Sequence, residues 1–262
     1  PLVLHAVHRQ DVKALCQLAG SLALPSTHTT WFNFLASHDG IGLNPLRGIL
    51  PESEILSLVE KLQQEGALVN WKNNPDGTRS PYEINVTYLD ALSLRDSSDD
   101  ERIARFILAH AVLLSFPGVP AVYIQSILGS RNDYEGVERL GYNRAINRKK
   151  YTAGQVDLEL NNKKSIRYQI YSRLSELIAI RRGESAFHPD SQAIFDAIGE
   201  HVLKIVRVAE NGERMTALFN FSNKMQTIYG QTLFGRELLS GHDISGTELN
   251  LNPWQVMWIK EN

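Results

Sequence analysis

An imidazole beside a carboxylate, His38-Asp39, closes an apolar run and is followed by Gly40 and Gly42. A carboxylate there can bind hydroxyls or steady developing positive charge, and a histidine can donate hydrogen bonds or move a proton. The preceding run, Trp31-Phe32-Asn33-Phe34-Leu35-Ala36, is apolar at five of its six positions, the pattern of a buried strand. The glycines permit a sharp turn with positive φ. The pair is therefore expected at the carboxyl end of a strand, where barrels of parallel strands build active sites. A plainer reading fits the same residues: Asp39 caps the turn and His38 is a satisfied surface histidine.

Other reactive side chains carry less. His110 lies on an apolar helical face and reads as a packed core histidine. Cys16 is the single cysteine, flanked by Leu15 and Leu18; it cannot form an internal disulfide and reads as a helix position rather than a nucleophile. That cysteine usage fits a reducing compartment, so a cytoplasmic protein is expected. Net charge is −2, which leaves no basic surplus for nucleic acid or an anionic membrane. No apolar run is long enough for a transmembrane helix. The chain opens on Pro1 and runs at once into Leu2-Val3-Leu4, so it is expected to begin inside an element and to be a piece of a longer protein.

The elements that would hold the pair can be read in order. Leu4, Val7, Val12, Leu15 and Leu18 have helical spacing, with Gly20 as a stop. After the strand, residues 43–95 break the alternation and read as an insertion. It holds an amphipathic helix over 53–64 with Ile55, Leu56, Val59 and Leu62 on one face, and a dense turn signal over 71–77. Ser98 and Glu101 form a capping box before a helix carrying Ile103, Phe106, Ile107, Leu113 and Leu114. Residues 119–124 read as a second buried strand, 129–148 as a polar loop, and 166–182 as a helix with Ile170, Leu174, Leu177 and Ile178 inward. From 187 the grammar turns antiparallel. Strands are expected at 202–208, 215–221, 226–229, 236–239 and 254–259, with Asn211-Gly212 as a hairpin turn. The fold class is α/β followed by a small all-β part. Two parallel strands cannot make a covered sheet, so broad apolar faces and unpaired edges are expected to drive association.

Several stretches match one family in order: Ser37-His38-Asp39-Gly40-Ile41-Gly42, Tyr82-Glu83-Ile84-Asn85-Val86-Thr87-Tyr88, Phe116-Pro117-Gly118-Val119-Pro120-Ala121-Val122-Tyr123, Arg131-Asn132-Asp133, and Asn143-Arg144-Ala145-Ile146-Asn147-Arg148. The ordered set resembles the second half of an α-amylase-superfamily enzyme. More narrowly, it resembles the sucrose-phosphorylase branch, which includes glucosylglycerol and glucosylglycerate phosphorylases. The resemblance implies the C-terminal part of a (β/α)8 TIM barrel, strands seven and eight, over residues 1–185. Residues 43–95 would be the subdomain inserted after strand seven, and 186–262 the antiparallel β C-terminal domain.

The resemblance also implies a chemistry. Retaining glucosyl transfer needs a carboxylate nucleophile, an acid/base and stabilisation of an oxocarbenium-like transition state. Asp39 would be the transition-state stabiliser and His38 a ligand of the same sugar hydroxyls. Arg144 would close the glucose pocket, against the alternative of a solvated basic face with Arg148, Lys149 and Lys150. Tyr82, Glu83 and Asn85 would line a substrate loop. The sucrose enzymes have glutamine where Glu83 stands, which points to another acceptor, such as glycerol or glycerate. Arg79 could offset that carboxylate or bind an anionic acceptor, unless it is simply an exposed loop arginine. The implied reaction uses a glucoside and inorganic phosphate, with no metal or organic cofactor. The nucleophile and acid/base are expected upstream, so this chain alone would be inactive, seated against the missing N-terminal half or a second copy. Two rival readings are a fragment of an α-glucosidase-type hydrolase and a non-catalytic carbohydrate-binding or interaction protein. The long insertion and Gly40-Ile41-Gly42 argue against the hydrolase.

Overall fold

A computed structural model describes residues 1–23, 26 and 28–262. The elements in order are α1 (Leu2–Arg9), α2 (Lys13–Ser21), β1 (Phe32–Phe34), β2 (Ile41–Gly42), α3 (Glu52–Gln64), β3 (Leu68–Asn73), β4 (Arg79–Asn85), α4 (Tyr88–Ala91) and α5 (Asp99–Ser115). They continue with β5 (Val119–Ala121), α6 (Ile124–Ile127), α7 (Tyr134–Leu140), α8 (Ala153–Leu160) and α9 (Ile166–Gly183). The last are β6 (Gln192–Ile198), β7 (Val202–Val208), β8 (Arg214–Asn220), β9 (Gln226–Glu237), β10 (Asp243–Leu251) and β11 (Val256–Glu261). Two compact units result: Pro1–His8 with Phe34–Phe106 and Val122–Arg173, and Arg9–Asn33 with Ile107–Ala121 and Leu174–Asn262.

In the first unit β2, β4 and β3 form an antiparallel sheet in that order, and α3 packs on β3 and β4. Glu52 and Glu54 in the first turn of α3 and Lys61 in its last suit the helix dipole. Its buried stripe is Ile55, Leu58, Val59 and Leu62, while Leu56 is exposed. At 100° per residue Leu56 falls beside that stripe, which corrects the expected face. The turn signal acts later than expected: β3 runs through Asn73, and Asn74 and Thr78 close the hairpin around Gly77. The polar stretch 129–148 is not a plain loop. Asp133 caps α7 by accepting from Gly136 N (3.1 Å), and left-handed Gly141 ends it.

In the second unit six antiparallel strands run β10-β9-β11-β8-β7-β6. Val202, Leu218, Ile228, Leu251, Met257 and Ile259 share one core cluster, and the Phe187 and Trp258 rings meet at 4.8 Å. The expected strands at 226–229 and 236–239 are one strand, β9. β6 and β10 lie outside the expected strands; they are the two outer edges of the sheet, and their residues are only half-buried or exposed except Leu251.

Three further expectations are corrected. The N-terminal helix is two helices, α1 and α2, parted where Gln10 takes φ 54° and its carbonyl accepts a hydrogen bond from His201 Nδ1 (2.5 Å). Gly20 lies inside α2 and does not end it. β1 and β5 are not buried: Phe32 is 66% exposed and Phe34 55%, and Val119 is exposed as well. These strands form a two-stranded sheet, which offers too little surface to cover both its faces. One arm of the expected capping box is present, Glu101 N donating to Ser98 Oγ at 3.2 Å, while Glu101 Oε1 accepts from Arg105 Nη2 instead, and His110 is buried in α5.

One pH dependence is built into α1. Burial, with Lys61, Arg105 and His5 nearby, pushes His8 down to about 4, against the opposing pull of its hydrogen bond to Ala91 O (2.6 Å). The folded value lies below the unfolded one, so stability is complete above the unfolded pKa of about 6.5 and falls as pH drops from there towards 4. The loss should reach about 3 kcal/mol at most. Urea unfolding at pH 7.5, 6 and 4.5 measures it, and His8→Gln should flatten this component of the slope.

Candidate functional site

The pair His38-Asp39 lies in the loop between β1 and β2, and two short-range facts of sequence hold it in place. Gly40 must be glycine: a Cβ there would lie 2.6 Å from Glu83 Cγ and 2.8 Å from Ile84 O. That close approach lets β2 pair directly with β4, Ile41 opposite Ile84 and Gly42 opposite Glu83. On the other edge of β4, Asn70 faces Glu83 and Trp71 faces Pro81, so Tyr82 is the extra residue of a β-bulge. Bulges re-aim side chains, and they concentrate beside functional sites.

Arg144 joins the two carboxylates. It sits on a 3-10 turn, Asn143–Asn147. Its Nη1 donates to Asp39 Oδ1 at 2.7 Å. Its Nε donates to Glu83 Oε2 at 3.2 Å, and Nη2 lies 2.9 Å from Glu83 Oε1. The hydrogen bond and charge of Glu83, with the charge of Asp39, hold the Arg144 guanidinium above its ordinary range. Glu83 is buried and Asp39 is partly open, 41% exposed at its side chain. His38 is exposed, with Nε2 3.7 Å from Asp39 Oδ1.

Four residues that sequence reasoning did not single out complete the arrangement. Arg148, expected only as part of a basic run, donates from Nη2 to Asp39 Oδ1 (3.3 Å) and from Nε to His38 O (2.7 Å). Asn147 Nδ2 donates to Ser37 O (2.7 Å) and Asp39 O (3.3 Å). Asn70 Nδ2 donates to Glu83 Oε2 (2.7 Å), and Asn143 Nδ2 donates to Asn70 Oδ1 (2.7 Å). The run 143–148 carried a signal for three of them, since it alternates amides and arginines; Asn70 carried none.

The other expected site residues sit differently. Asn85 is fully buried, and its amide has no hydrogen-bond partner among the described residues. Tyr82 is half-buried, and its carbonyl accepts from Leu43 N (3.0 Å). Arg79 is exposed at the start of β4, opposite Asn73. Three strand residues lie between it and Glu83, four steps or about 13 Å of chain. The structure thus brings His38, Asp39, Glu83 and Arg144 together, with Asn85 behind them, and leaves Arg79 apart. Two carboxylates and two guanidiniums balance in charge, and the arrangement can bind hydroxyls and steady a cation beside Asp39.

No family model matches the chain. It is 66% identical over 260 residues to the glucosylglycerate phosphorylase of Escherichia coli (strain K12), covering 99% of this chain and 46% of that protein. The chain is homologous to the sucrose-phosphorylase-like branch of the α-amylase superfamily. It is 39% identical to the glucosylglycerate phosphorylase of Allomeiothermus silvanus, over 99% of this chain and 45% of that relative. Sucrose and glucosylglycerol phosphorylases lie further off. The chain spans about half the length of these curated relatives. Among solved structures, the sucrose 6F-phosphate phosphorylase from Thermoanaerobacter thermosaccharolyticum matches with TM-score 0.71 at 20% identity, over 94% of this chain and 46% of that one. At that identity the likeness shows the fold: the chain is the C-terminal part of a barrel followed by an antiparallel β domain. Among the described residues no helix is long and apolar enough to cross a membrane.

Proposed function

We propose that the protein to which this chain contributes is a retaining glucosyl-transferring phosphorylase, converting an α-glucoside and phosphate to α-glucose 1-phosphate and a free acceptor. The observation that carries the reading is Asp39, partly open, held by Arg144 Nη1 at 2.7 Å beside an exposed His38. A carboxylate so fixed can hold sugar hydroxyls and favour the positive charge of an oxocarbenium-like transition state. His38 and Arg144 bind the same glucosyl unit, with Tyr82 and Asn85 on the loop side. The nucleophile and acid/base come from the N-terminal half, which also covers the exposed face of β1 and β5. Residues 1–185, with 43–95 as their insertion, belong to that barrel, and 186–262 are the β domain. No metal or organic cofactor takes part, and the single Cys16 fits a cytoplasmic enzyme.

Glycerate is the favoured acceptor. The two relatives of highest identity quoted above are named glucosylglycerate phosphorylases, and they match nearly the whole chain. Arg79, exposed on the β3–β4 hairpin, can meet the glycerate carboxylate. The test is product analysis on the full-length protein with glucosylglycerate, glucosylglycerol and sucrose, with and without phosphate. Glucose 1-phosphate should form only with phosphate, with the highest kcat/KM for glucosylglycerate, and the 262-residue chain alone should form none. Free glucose released at the same rate without phosphate would make the protein a hydrolase and overturn the reading.

A further inference from the structure

Guanidiniums from three separate segments of the first unit line one cavity of about 490 Å³. Arg95 stands between α4 and α5, Arg102 early in α5, and Arg131 ahead of α7. Asp90 and Glu65 line the cavity as well, so three cations face two carboxylates. Sites for small molecules run from about 300 to 1,000 Å³, and this cavity falls within that range.

The pairs within the wall leave donors over. Asp90 Oδ1 accepts from Arg131 Nε, and its Oδ2 accepts from Asn132 N at 2.7 Å. Arg131 Nη1 and Nη2 have no partner among the described residues, and the side chain is 50% exposed. Arg102 Nη2 donates to Ser97 O at 3.2 Å, but its Nη1 stays 3.8 Å from Asp90 Oδ1, beyond hydrogen-bond reach. Its Nε has no hydrogen bond among the described residues and lies 3.7 Å from Asp99 Oδ1. The Arg102 side chain is only 7% exposed, and a buried cation short of acceptors is costly. Burial and then the charge of Arg131 hold Arg102 below its ordinary value, against the pull of Asp90, Asp99 and Glu101. Arg95 donates from Nη2 to Gln64 O (3.2 Å), and Glu65 Oε2 is taken by the Arg95 backbone N–H rather than by its guanidinium.

We propose that this cavity binds a small phosphorylated polyol, with the phosphate among Arg95, Arg102 and Arg131. Forked guanidinium donors suit phosphate oxygens, and three oxygens accept from several segments at once, where the two of a carboxylate accept fewer. The negative charge also supplies what the buried Arg102 lacks. Glu65 Oε1, left over from the bond to the Arg95 backbone, can accept from a ligand hydroxyl at the same cavity. An ion-pair cluster that served only to tie α4, α5 and the turn at Arg131 together would bind nothing.

This site does not rest on the function proposed above, and a binding measurement tests it without turnover. Calorimetry on the full-length protein takes glycerol 3-phosphate as the probe and glycerol as its uncharged control. Glycerol 3-phosphate should bind with Kd below about 1 mM, and glycerol should give no heat of binding. Arg131→Gln should weaken the binding about tenfold or more, and Arg95→Gln, a change to an exposed side chain, about threefold or more. Arg173→Gln removes the same charge from an exposed position of α9 and should leave Kd unchanged, as should Arg144→Ala in the glucosyl pocket. Absence of binding to the wild type would overturn the proposal, as would equal weakening by Arg173→Gln. So would weakening by Arg144→Ala with none by Arg131→Gln, which would place the probe in the glucosyl pocket. If Arg131→Gln does not fold, Arg95→Gln carries the test, and an unchanged Kd in that variant overturns the site.

Discussion

Asp39→Asn should lower kcat of the full-length enzyme by about 10²- to 10³-fold, the cost of roughly 3–4 kcal/mol of transition-state stabilisation. The substitution is nearly isosteric. Asn Oδ1 can still accept from Arg144 Nη1, as Asp39 Oδ1 does at 2.7 Å, so the loop should keep its shape. What disappears is a negative charge. Arg144 and Arg148 both approach Asp39 Oδ1, and with Asn they would share only Glu83 as counter-charge. The site then bears a net positive charge where the sugar ring becomes cationic. The ground-state glucoside is neutral at that carbon, so KM should change far less than kcat. Steady-state phosphorolysis measures the split, and a thermal unfolding midpoint close to wild type checks that the loop is intact. A kcat within about threefold of wild type would remove Asp39 from the transition state.

The same loop shows how much of the site was legible in the sequence. His38-Asp39 between an aromatic run and two glycines signals a turn that presents polar groups, because both signals are local. The partners of that pair are not local. Arg144 is 105 residues from Asp39, and only likeness to a family placed it in the pocket. Arg148 went unrecognised because it stands in a basic run, and composition cannot tell a solvated arginine from one that grips a carboxylate 109 residues away. Asn70 carried no signal: its role depends on the bulge at Tyr82, which sets Asn70 opposite Glu83. Glu83 itself was read as facing substrate; pairing by β2 and β3 on both sides of β4 puts it inside.

The fold divides in the same way. Residues 202–208 are mostly β-branched and apolar and are followed by a hairpin turn, so the expected strand has the bounds of β7. β1 and β5 were read as buried because hydrophobicity reports what a segment needs, not whether a neighbour is present to supply it. Phe32 and Phe34 are the residues of a buried strand on an open face.

Arg207 carries the largest expected effect on stability. It is fully buried, and among the described residues its guanidinium donates to four carbonyls rather than to a carboxylate. Nη1 reaches Ser115 O at the end of α5 (2.8 Å), Nη2 reaches His188 O (2.7 Å) and Ser191 O (3.1 Å), and Nε reaches Gln192 O (3.3 Å). Arg181 caps the same helix end through Leu114 O (2.8 Å). Burial, with the charge of Arg181, pushes Arg207 down to about 10, so the cation persists at neutral pH, and the negative end of the α5 dipole favours it there. Arg207→Met keeps the bulk and removes both the charge and the donors. Relief of the buried charge is favourable, but several carbonyls lose their partner in an apolar surround, each at about 1–3 kcal/mol. The second contribution should win, with a net loss of about 3 kcal/mol in unfolding free energy, read as a lower urea midpoint at an unchanged slope. Arg207→Lys should recover only a part, because an ammonium cannot span carbonyls set on both sides of a planar fork. A Met variant as stable as wild type would mean that the buried charge cost as much as its hydrogen bonds returned.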